Sequence, residues 1–454
     1  MNPLNRLAHL SFTALIGVAV STASMAQPKE PFTYRKMLML DRISALDVSP
    51  DGQYALFNFR GTDMGNNKGV NLLGVKNLAD PAAPEVSLET SREGASSARW
   101  SPDGQWIYFL SSRGEEGTAQ VWRTTRKGDM AEQMTRLPLD VESFRVTPDG
   151  KGFVLAMAVF PECGPDAVAC TADRLAKRKA DKATGTVYTK MFVRHWDTWS
   201  DGRVNRLFHV AMGEGQRPRP LMGTLVGDVP GKPWGDEGDY CISPDSKTVY
   251  FSMRRADARE PWSTNFDIFQ VPLAGGNPAN FTEGNPAWDA GPRISPDGKT
   301  MAYLAMKRPG FEADRFWINL MDLATGKTTT LAGDWDRSAE AIKWSRDGQS
   351  LFVTAQDLGC KRLFQVDVKT GKVTRRSKDG SIDAFFETAN GFVFLKSSLN
   401  FPSQLFAAKP KAKLIDEGAT KLLQFNKDLE TLAFGTYEQF NFKGWNDETV
   451  HGYV

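Results

Sequence analysis

The stretch Trp100-Ser101-Pro102-Asp103-Gly104 has the composition of a tight turn between two β-strands. Proline fixes φ at the second turn position, Asp hydrogen-bonds the backbone two residues further on, and Gly accepts a positive φ. Ala98 precedes the turn, and the apolar run Trp106 to Phe109 follows it. The stretch therefore predicts a strand, a turn and a second strand.

The same turn motif recurs along the chain. Its first residue falls at the following positions: Ser49, Ser101, Thr147, Ser243, Ser295 and Ser345. The steps between these positions are 52, 46, 96, 52 and 50 residues. A period of about fifty residues indicates a repeat architecture.

Each repeat also carries a second hairpin. Asp267 to Val271 precedes a turn at Gly275-Gly276-Asn277, and Leu363 to Val366 precedes a turn at Thr370-Gly371-Lys372. Two hairpins give four antiparallel strands, which is one blade of a β-propeller. A β-sandwich with regular turns is the alternative, and six copies at one period favour the propeller.

The step of 96 residues is interpreted as an insertion in blade three, at 161–206, rather than as a degenerate blade. Phe153 to Phe160 and Leu207 to Val210 supply ordinary strands on its two sides. Inside it, Arg174 to Lys182 has helical composition, and its basic residues predict a solvated helix face.

A weaker seventh unit extends from Ala384 to Ala407. We therefore expect an all-β fold, a seven-bladed β-propeller of four-stranded blades over 32–420. Six or eight blades are the alternatives. Beyond the propeller, residues 421–454 still have strand-like composition.

The N-terminal 26 residues have the pattern of an export signal. Arg6 precedes the apolar run Leu10 to Val20, and Ser24-Met25-Ala26 supplies small residues for cleavage. Eleven apolar residues are too few to span a bilayer, which takes about 20. We expect a cleaved signal peptide at 1–26, a periplasmic or secreted location, and no membrane attachment after cleavage. The net charge of +2 gives no electrostatic reason to expect nucleic acid as a partner.

The four cysteines fall into two groups. Cys163 and Cys170 are seven residues apart within the insertion, which in an exported protein predicts a local disulfide. Two unpaired thiols are the alternative. Cys241 and Cys360 lie beside strands and are interpreted as buried single thiols, although a pairing between them remains open.

Motifs of the common catalytic classes are absent from the sequence. It contains no Gly-x-Ser-x-Gly, no His-Glu-x-x-His, no paired Cys-x-x-Cys and no phosphate-binding loop. No metal and no cofactor are therefore expected. His195, within Arg194 to Trp199, has polar neighbours, but its two flanking tryptophans favour a structural role.

Two loops have the composition of a ligand site. Asp236, Glu237 and Asp239 form an acidic cluster beside Trp234, and Arg259 to Asn265 forms a polar loop around Trp262. A carboxylate pair can hold an α-ammonium group by charge-assisted hydrogen bonds, and a tryptophan can supply an apolar wall. Ordinary exposed loops are the alternative for each of these residues.

Four segments resemble the propeller half of the prolyl oligopeptidase family of serine peptidases, in its exported bacterial dipeptidyl and acylaminoacyl peptidase branch. They are Met191 to Trp199, Trp262 to Asp267, Ala305 to Arg315, and the tail from Phe440 to Tyr453. The Ser-Pro-Asp-Gly repeat is less specific, because Tol-type translocation proteins share it. The resemblance covers nearly all of the mature chain.

The resemblance implies an α/β-hydrolase domain carrying the catalytic serine, acid and base, with 421–454 as its linker and first strands. We expect this domain to follow Val454, so the chain is expected to be truncated and inactive alone. A propeller in this family admits short peptides and excludes folded proteins. The implied function is the gating part of an exopeptidase that removes dipeptides or acylated residues from peptide N-termini.

Five residues are candidates for contacts with a peptide substrate. Glu237, Glu260 and Trp262 are assigned to the amino end of the peptide, and the two acidic choices rest on charge. Arg194 and Asn265 are assigned to a carbonyl. Two other functions stay open: a non-enzymatic, Tol-type interaction module in the periplasm, and a propeller enzyme acting on small molecules or sugars.

Overall fold

The computed structural model describes residues 29–213 and 215–454. Within these ranges the chain forms seven four-stranded antiparallel sheets, so the seven-bladed propeller is confirmed. Each sheet follows the order of its strands in the chain. The predicted signal at 1–26 lies outside the described residues.

The strand bounds of the blades are as follows. Blade 1 comprises Arg42–Val48, Tyr54–Asp63, Lys68–Asn77 and Val86–Ser87. Blade 2 comprises Ser96–Trp100, Ile107–Ser111, Gln120–Thr124 and Glu132–Gln133. Blade 3 comprises Ser143–Val146, Gly152–Val159, Val204–Ala211 and Arg219–Pro220. Blades 4 and 5 comprise Tyr240–Ile242, Thr248–Arg254, Phe266–Pro272 and Ala279–Asn280; Asp289–Ile294, Thr300–Ala305, Trp317–Asp322 and Thr328–Leu331. Blades 6 and 7 comprise Ala339–Trp344, Ser350–Asp357, Cys360–Asp367 and Val373–Arg375; Ser381–Thr388, Gly391–Ser398, Phe401–Ala407 and Thr420–Lys421.

The repeated turn is held by its own side chains. In blade 5 the Ser295 hydroxyl donates to Asp297 Oδ1 at 2.6 Å and accepts from the Thr300 amide at 3.0 Å. The same hydroxyl-to-carboxylate bond occurs in blades 1 to 4 and in blade 6. The Asp297 carboxylate accepts from the Ser295 hydroxyl and from the Lys299 amide, and these hydrogen bonds lower its pKa. The turn is therefore a self-contained unit, which explains why its hydroxyl and its aspartate are present in all six copies.

The core lies between the blades. A separate cluster of buried apolar side chains fills each junction between neighbouring blades. At the junction of blades 3 and 4, Phe251 is fully buried, and its ring stacks on Phe269 with 5.5 Å between centroids. Burial of this kind stabilises by about 25 cal/mol per Å² of apolar surface, so each blade depends on both neighbours.

The ring closes between blades 7 and 1 by side-chain packing. Phe57 of blade 1 packs with Leu405 of blade 7, and Leu423 completes the cluster. Asn426 receives a hydrogen bond from the Asp41 amide at 2.9 Å and returns one to its carbonyl at 2.8 Å. The propeller therefore extends past its predicted end at residue 420, because this apolar segment is needed to fill the last junction.

Alternation of strand direction gives the propeller two faces. One face, here the turn face, carries the repeated turns between first and second strands. The other, the loop face, carries the connections between second and third strands and those between blades. First strands of neighbouring blades contact one another, which places them along the central axis.

The insertion belongs to the loop face. It begins after Val159 with the 3₁₀ turn Pro161–Asp166 and the helix α2, Ala167–Ala180, and ends where the third strand of blade 3 begins at Val204. The insertion therefore ends at 203, three residues before its predicted end at 206, because the strand pairs with the whole of Gly152–Val159. The helix α2 is longer than the helix predicted at 174–182, and it begins seven residues earlier.

Two terminal elements also lie outside the blades. The helix α1, Tyr34–Met39, buries none of its residues. The strands Gln439–Lys443 and Thr449–Tyr453 pair as a hairpin, and Glu30–Pro31 pairs in parallel with Leu432–Ala433. None of the helices in the described part of the chain has the length and apolar character to cross a membrane.

Candidate functional site

Exposed aromatic side chains are concentrated on the loop face over blades 3 and 4. The aromatic surface, as we call this group, consists of Tyr188, Trp196, Trp199, Trp234 and Trp262. Trp234 and Trp262 are 76% and 79% exposed. Large exposed aromatic groups of this kind mark places where a protein contacts a ligand or a partner.

The insertion contributes a short hairpin to this surface. Arg194–His195 pairs with Thr198–Trp199, and the Trp196 ring between them lies 5.0 Å from the Trp234 ring. The His195 ring lies 5.0 Å from that of Phe192, and the structural role expected for His195 stays a prediction. Arg194 is exposed and donates to the Trp196 carbonyl at 2.5 Å. Its predicted contact with a substrate carbonyl stays a prediction.

Glu260 lies beneath the aromatic surface, in the 3₁₀ turn Glu260–Trp262. Its carboxylate is 3.7 Å from the guanidinium of Arg254, and both side chains are largely buried. Burial raises the pKa of Glu260, and Arg254 opposes that shift. Arg254 also lies over the rings of Phe266 and of Phe192, and its contact with Phe192 ties the insertion to blade 4.

A cavity of about 440 Å³ opens beside this turn. Two predicted site residues, Trp262 and Asn265, line it together with Pro309 and Gly310 from blade 5. The Gly310 amide donates to the Thr264 hydroxyl at 2.9 Å, which joins two of the segments that carry the family resemblance. The cavity is therefore built by adjacent loops of blades 4 and 5.

Asn265 supports one wall of the cavity. With its amide nitrogen directed inward, it donates to the carbonyls of Ala287 at 2.9 Å and Asn285 at 3.2 Å. These bonds join the loop of blade 4 to the connection that leads into blade 5. Trp262, in contrast, forms a free apolar wall.

Asp267 supplies a carboxylate to the same cavity, and the sequence analysis did not select it. Its Oδ2 accepts from the Asn280 side chain at 2.8 Å, whereas its Oδ1 is buried without a hydrogen-bond partner among the described residues. Burial raises the pKa of Asp267. A buried carboxylate oxygen without a partner costs free energy, so a hydrogen-bond donor that reaches Asp267 Oδ1 would be bound favourably. The sequence does contain a signal for this residue, because Asp267 is an acidic residue within the largely apolar run Phe266 to Val271.

Glu237 lies at the propeller axis and not at the cavity. Its carboxylate forms an ion pair with Arg99 of blade 2, and its carbonyl accepts from Arg145 Nε of blade 3 at 3.0 Å. Burial would raise the pKa of Glu237, but the nearby arginines outweigh it and lower the pKa. The structure thus separates Glu237 from Glu260, and the substrate contacts predicted for both stay predictions.

The other acidic residues of this segment hold its backbone. Asp236 accepts from the Gly238 amide at 2.6 Å, and Asp239 accepts from the Gly231 amide at 2.8 Å. Burial raises the pKa of Asp239 to about 6. The acidic cluster seen in the sequence is therefore a set of turn contacts.

The predicted disulfide is present, but of the two thiols predicted to be buried only Cys241 is so. Cys163 and Cys170 are joined by a disulfide with 5.8 Å between their Cα atoms, across the start of α2. Cys241 and Cys360 are free thiols, the first buried and the second half-buried. The disulfide fastens the insertion at its first turn.

Comparison with known proteins gives relatives along most of the chain. Dipeptidyl-peptidase 5 of Porphyromonas gingivalis is 28% identical over 409 residues, which is 88% of this chain and 57% of that protein. Dipeptidyl-peptidase 5 of Aspergillus fumigatus is 25% identical over 97% of this chain and 62% of its own length. The chain thus spans about three fifths of the curated relatives it matches. No family model matches it.

Solved structures share the fold. An acylaminoacyl peptidase in complex with Z-Gly-Gly-Phe-chloromethyl ketone superposes with a TM-score of 0.67 at 16% identity, over 93% of this chain and 59% of that one. The β-propeller domain of the trilobed protease from Pyrococcus furiosus gives 0.55 at 13% identity, over 86% and 97%. This chain is therefore a seven-bladed β-propeller whose relatives are dipeptidyl-peptidases and whose fold is that of acylaminoacyl peptidase propellers.

Proposed function

We propose that this chain is the substrate-gating propeller of an exported serine-type exopeptidase that acts on the N-termini of short peptides. The similarity to dipeptidyl-peptidase 5 over 88% of the chain carries the proposal. In this proposal, the catalytic serine, acid and base belong to an α/β-hydrolase domain encoded after Val454, and the protein works in the periplasm or outside the cell.

The loop face supports the docking part of this proposal. Every residue of Gln439–Lys443 is exposed, and Trp445 beside it is 84% exposed. A two-stranded hairpin is at best marginally stable on its own in water. We infer that this hairpin and the equally exposed α1 pack against the catalytic domain, which places the cavity and the aromatic surface next to the scissile bond.

The cavity supports a role in holding the substrate's amino end. Asp267 Oδ1 offers a buried acceptor without a partner, and Trp262 offers an apolar wall. A free α-ammonium group donates charge-assisted hydrogen bonds to such an oxygen, whereas an acylated amine carries no charge. We therefore infer dipeptidyl peptidase activity, with Asp267 as the group that recognises the free amine.

The first test compares this chain with a version extended to the next natural stop codon. Release of a chromophore is measured from a dipeptidyl substrate and from its N-acylated counterpart. We expect activity in the extended protein alone, abolished by a serine-directed inhibitor. An inactive extended protein, together with a stably folded 454-residue chain, would contradict the proposal and favour a Tol-type interaction module.

The second test replaces Asp267 by Asn in the active, extended protein. Loss of a charge-assisted hydrogen bond of about 1.5–3 kcal/mol should raise KM for the free-amine substrate roughly tenfold or more. The matched control is Asp257→Asn, because Asp257 lines the same cavity but is bound by Arg259 at 2.7 Å. Equal effects of the two variants would remove Asp267 from the amine site and leave the peptidase assignment untouched.

A further inference from the structure

One position of the repeat lines the propeller axis with cations. It is the residue two places before the first residue of each turn, and it faces the same partner position on the second strand in blades 1 to 6. The axial ring, as we call it, consists of Asp47, Arg99, Arg145, Cys241, Arg293 and Lys343, with Phe386 at the matching place in blade 7. Four of its seven members are cationic.

Three arginines of the axial ring contact one short segment, the 3₁₀ turn Glu237–Asp239. Arg99 forms an ion pair with the Glu237 carboxylate, and Arg145 donates to the Glu237 carbonyl. Arg293 Nη1 donates to the Gly238 carbonyl at 2.8 Å. These arginines come from blades 2, 3 and 5, so their guanidinium groups surround the turn that precedes blade 4.

The anionic groups nearby do not balance these cations. The buried anions, which are Asp47, Glu237 and the Asp239 that interacts with Arg293, supply at most three negative charges against four positive ones. Asp47 is already engaged, because its two oxygens accept from the amides of Trp100 at 2.8 Å and Val48 at 2.9 Å. The axial ring together with Glu237 and Asp239 therefore retains a formal charge of about +1 when Lys343 is protonated.

Hydrogen-bond donors also remain free. Arg99 Nε is buried without a partner among the described residues. Lys343 Nζ donates one hydrogen bond among the described residues, to the Phe385 carbonyl at 2.8 Å, and lies 3.5 Å from the centre of the Phe386 ring. Burial, with the neighbouring arginines, lowers the pKa of Lys343 to about 7, and burial lowers that of Arg145 to about 10. Both pKa shifts arise mainly from burial, and the neighbouring arginines add to them.

We propose that the axial ring is a binding site for a small oxyanion, a carboxylate or phosphate group, held by Lys343 and the free N–H groups of Arg99, Arg145 and Arg293. Narrow channels lined by one sign of charge concentrate the opposite charge. Guanidinium groups match the geometry of both oxyanions. The two sources of such a group are free inorganic phosphate and the C-terminal carboxylate of a short peptide.

The test is a titration of the full chain followed by calorimetry at constant ionic strength. The probes are inorganic phosphate, an N-acetylated dipeptide with a free carboxylate, and the same dipeptide as its amide. We expect saturable binding of one phosphate per chain, competition by the free carboxylate, and no competition by the amide. Binding of phosphate without competition by the carboxylate would identify inorganic anions as the source.

Two variants assign the binding to the axis. Lys343→Met should weaken phosphate binding about tenfold, because one charged hydrogen bond is lost. The matched control, Lys247→Met, removes a lysine that is 79% exposed on the turn face and should leave binding unchanged. If Lys343→Met does not fold, Arg293→Gln replaces it. Equal effects of the axial and control variants, or no binding above that of chloride, would overturn the proposal.

Discussion

The two faces of this propeller differ in how far their side chains are buried and hydrogen-bonded. On the turn face, each repeated Ser/Thr and Asp pair meets its hydrogen-bonding needs within six residues of chain. On the loop face, Trp262 is 79% exposed, Asp267 Oδ1 has no hydrogen-bond partner within the described part of the chain, and every residue of the strand Gln439–Lys443 is exposed. The polar groups of the turn face have their hydrogen-bond partners within the turn, whereas the loop face retains apolar and polar groups that a ligand or partner protein can contact.

This difference separates stability from function along the chain. Repeated positions build the blades and their junctions, and interruptions of the repeat carry the cavity and the aromatic surface. Substitutions in the first group should lower stability, and those in the second should alter activity.

The largest effect is expected at a junction between blades. Phe251→Ala removes a fully buried ring stacked on Phe269 and should lower the free energy of unfolding by about 3–5 kcal/mol. Trp262→Ala on the loop face should change it by less than about 0.5 kcal/mol. Urea unfolding of both variants measures this contrast, and similar losses would erase the distinction between the two regions.

A smaller effect is expected from the disulfide. Replacing both Cys163 and Cys170 by Ser opens a short loop and should lower the stability of the insertion by about 2 kcal/mol. Limited proteolysis should then cut within the insertion faster, while the blades resist as before. Uniform loss of protection over all blades would show that the insertion and the scaffold unfold together.

The loss of a turn hydroxyl should cost less. Ser295→Ala removes a donor to Asp297 and an acceptor for the Thr300 amide, and should lower the free energy of unfolding by about 1 kcal/mol. Ser263→Ala serves as the loop-face control, because its hydroxyl accepts only from the Asn265 amide. Thermal unfolding of the two variants should show the larger decrease for Ser295→Ala.

The smallest effect is a dependence of stability on pH that arises at the turn face. The pKa is lowered in each of the six turn carboxyls: Asp51, Asp103, Asp149, Asp245, Asp297 and Asp347. Because the folded pKa lies below the unfolded value of about 3.9, the stabilisation is present above that value and is lost as pH falls through the folded pKa. The melting temperature should therefore fall on acidification below about pH 4, and Asp297→Asn should make the fall shallower. An unchanged slope in this variant would contradict the assignment.

Much of the architecture was predictable because its determinants are local. A Ser or Thr followed two residues later by Asp recurs in six turns from Ser49 to Ser345, with proline in five of the six and glycine in five of the six, and this recurrence specifies blades about fifty residues apart outside the insertion. The seventh blade was predicted from weaker strands and a different turn. Its outer strand, Thr420–Lys421, was missed because two residues carry no periodicity.

The candidate site was only partly predictable. Trp262 and Asn265 were selected from composition and do line the cavity. Glu237 and Glu260 were grouped by charge, yet each faces a different arginine. Charge is visible in a sequence, but its counter-ion is not, because Arg99 lies 138 residues from Glu237.

The sequence by itself determined the repeat, the blade and the local disulfide, since each depends on residues close together in the chain. Only the tertiary structure decided which loops share a cavity and which side chains meet at the axis. Closing seven blades into a ring brings Asp47 and Lys343 into one electrostatic environment across almost 300 residues of chain. The residues of the axial ring occur at one position of the repeat, two residues before each turn. They form a concentration of positive charge only because closure of the ring brings them together.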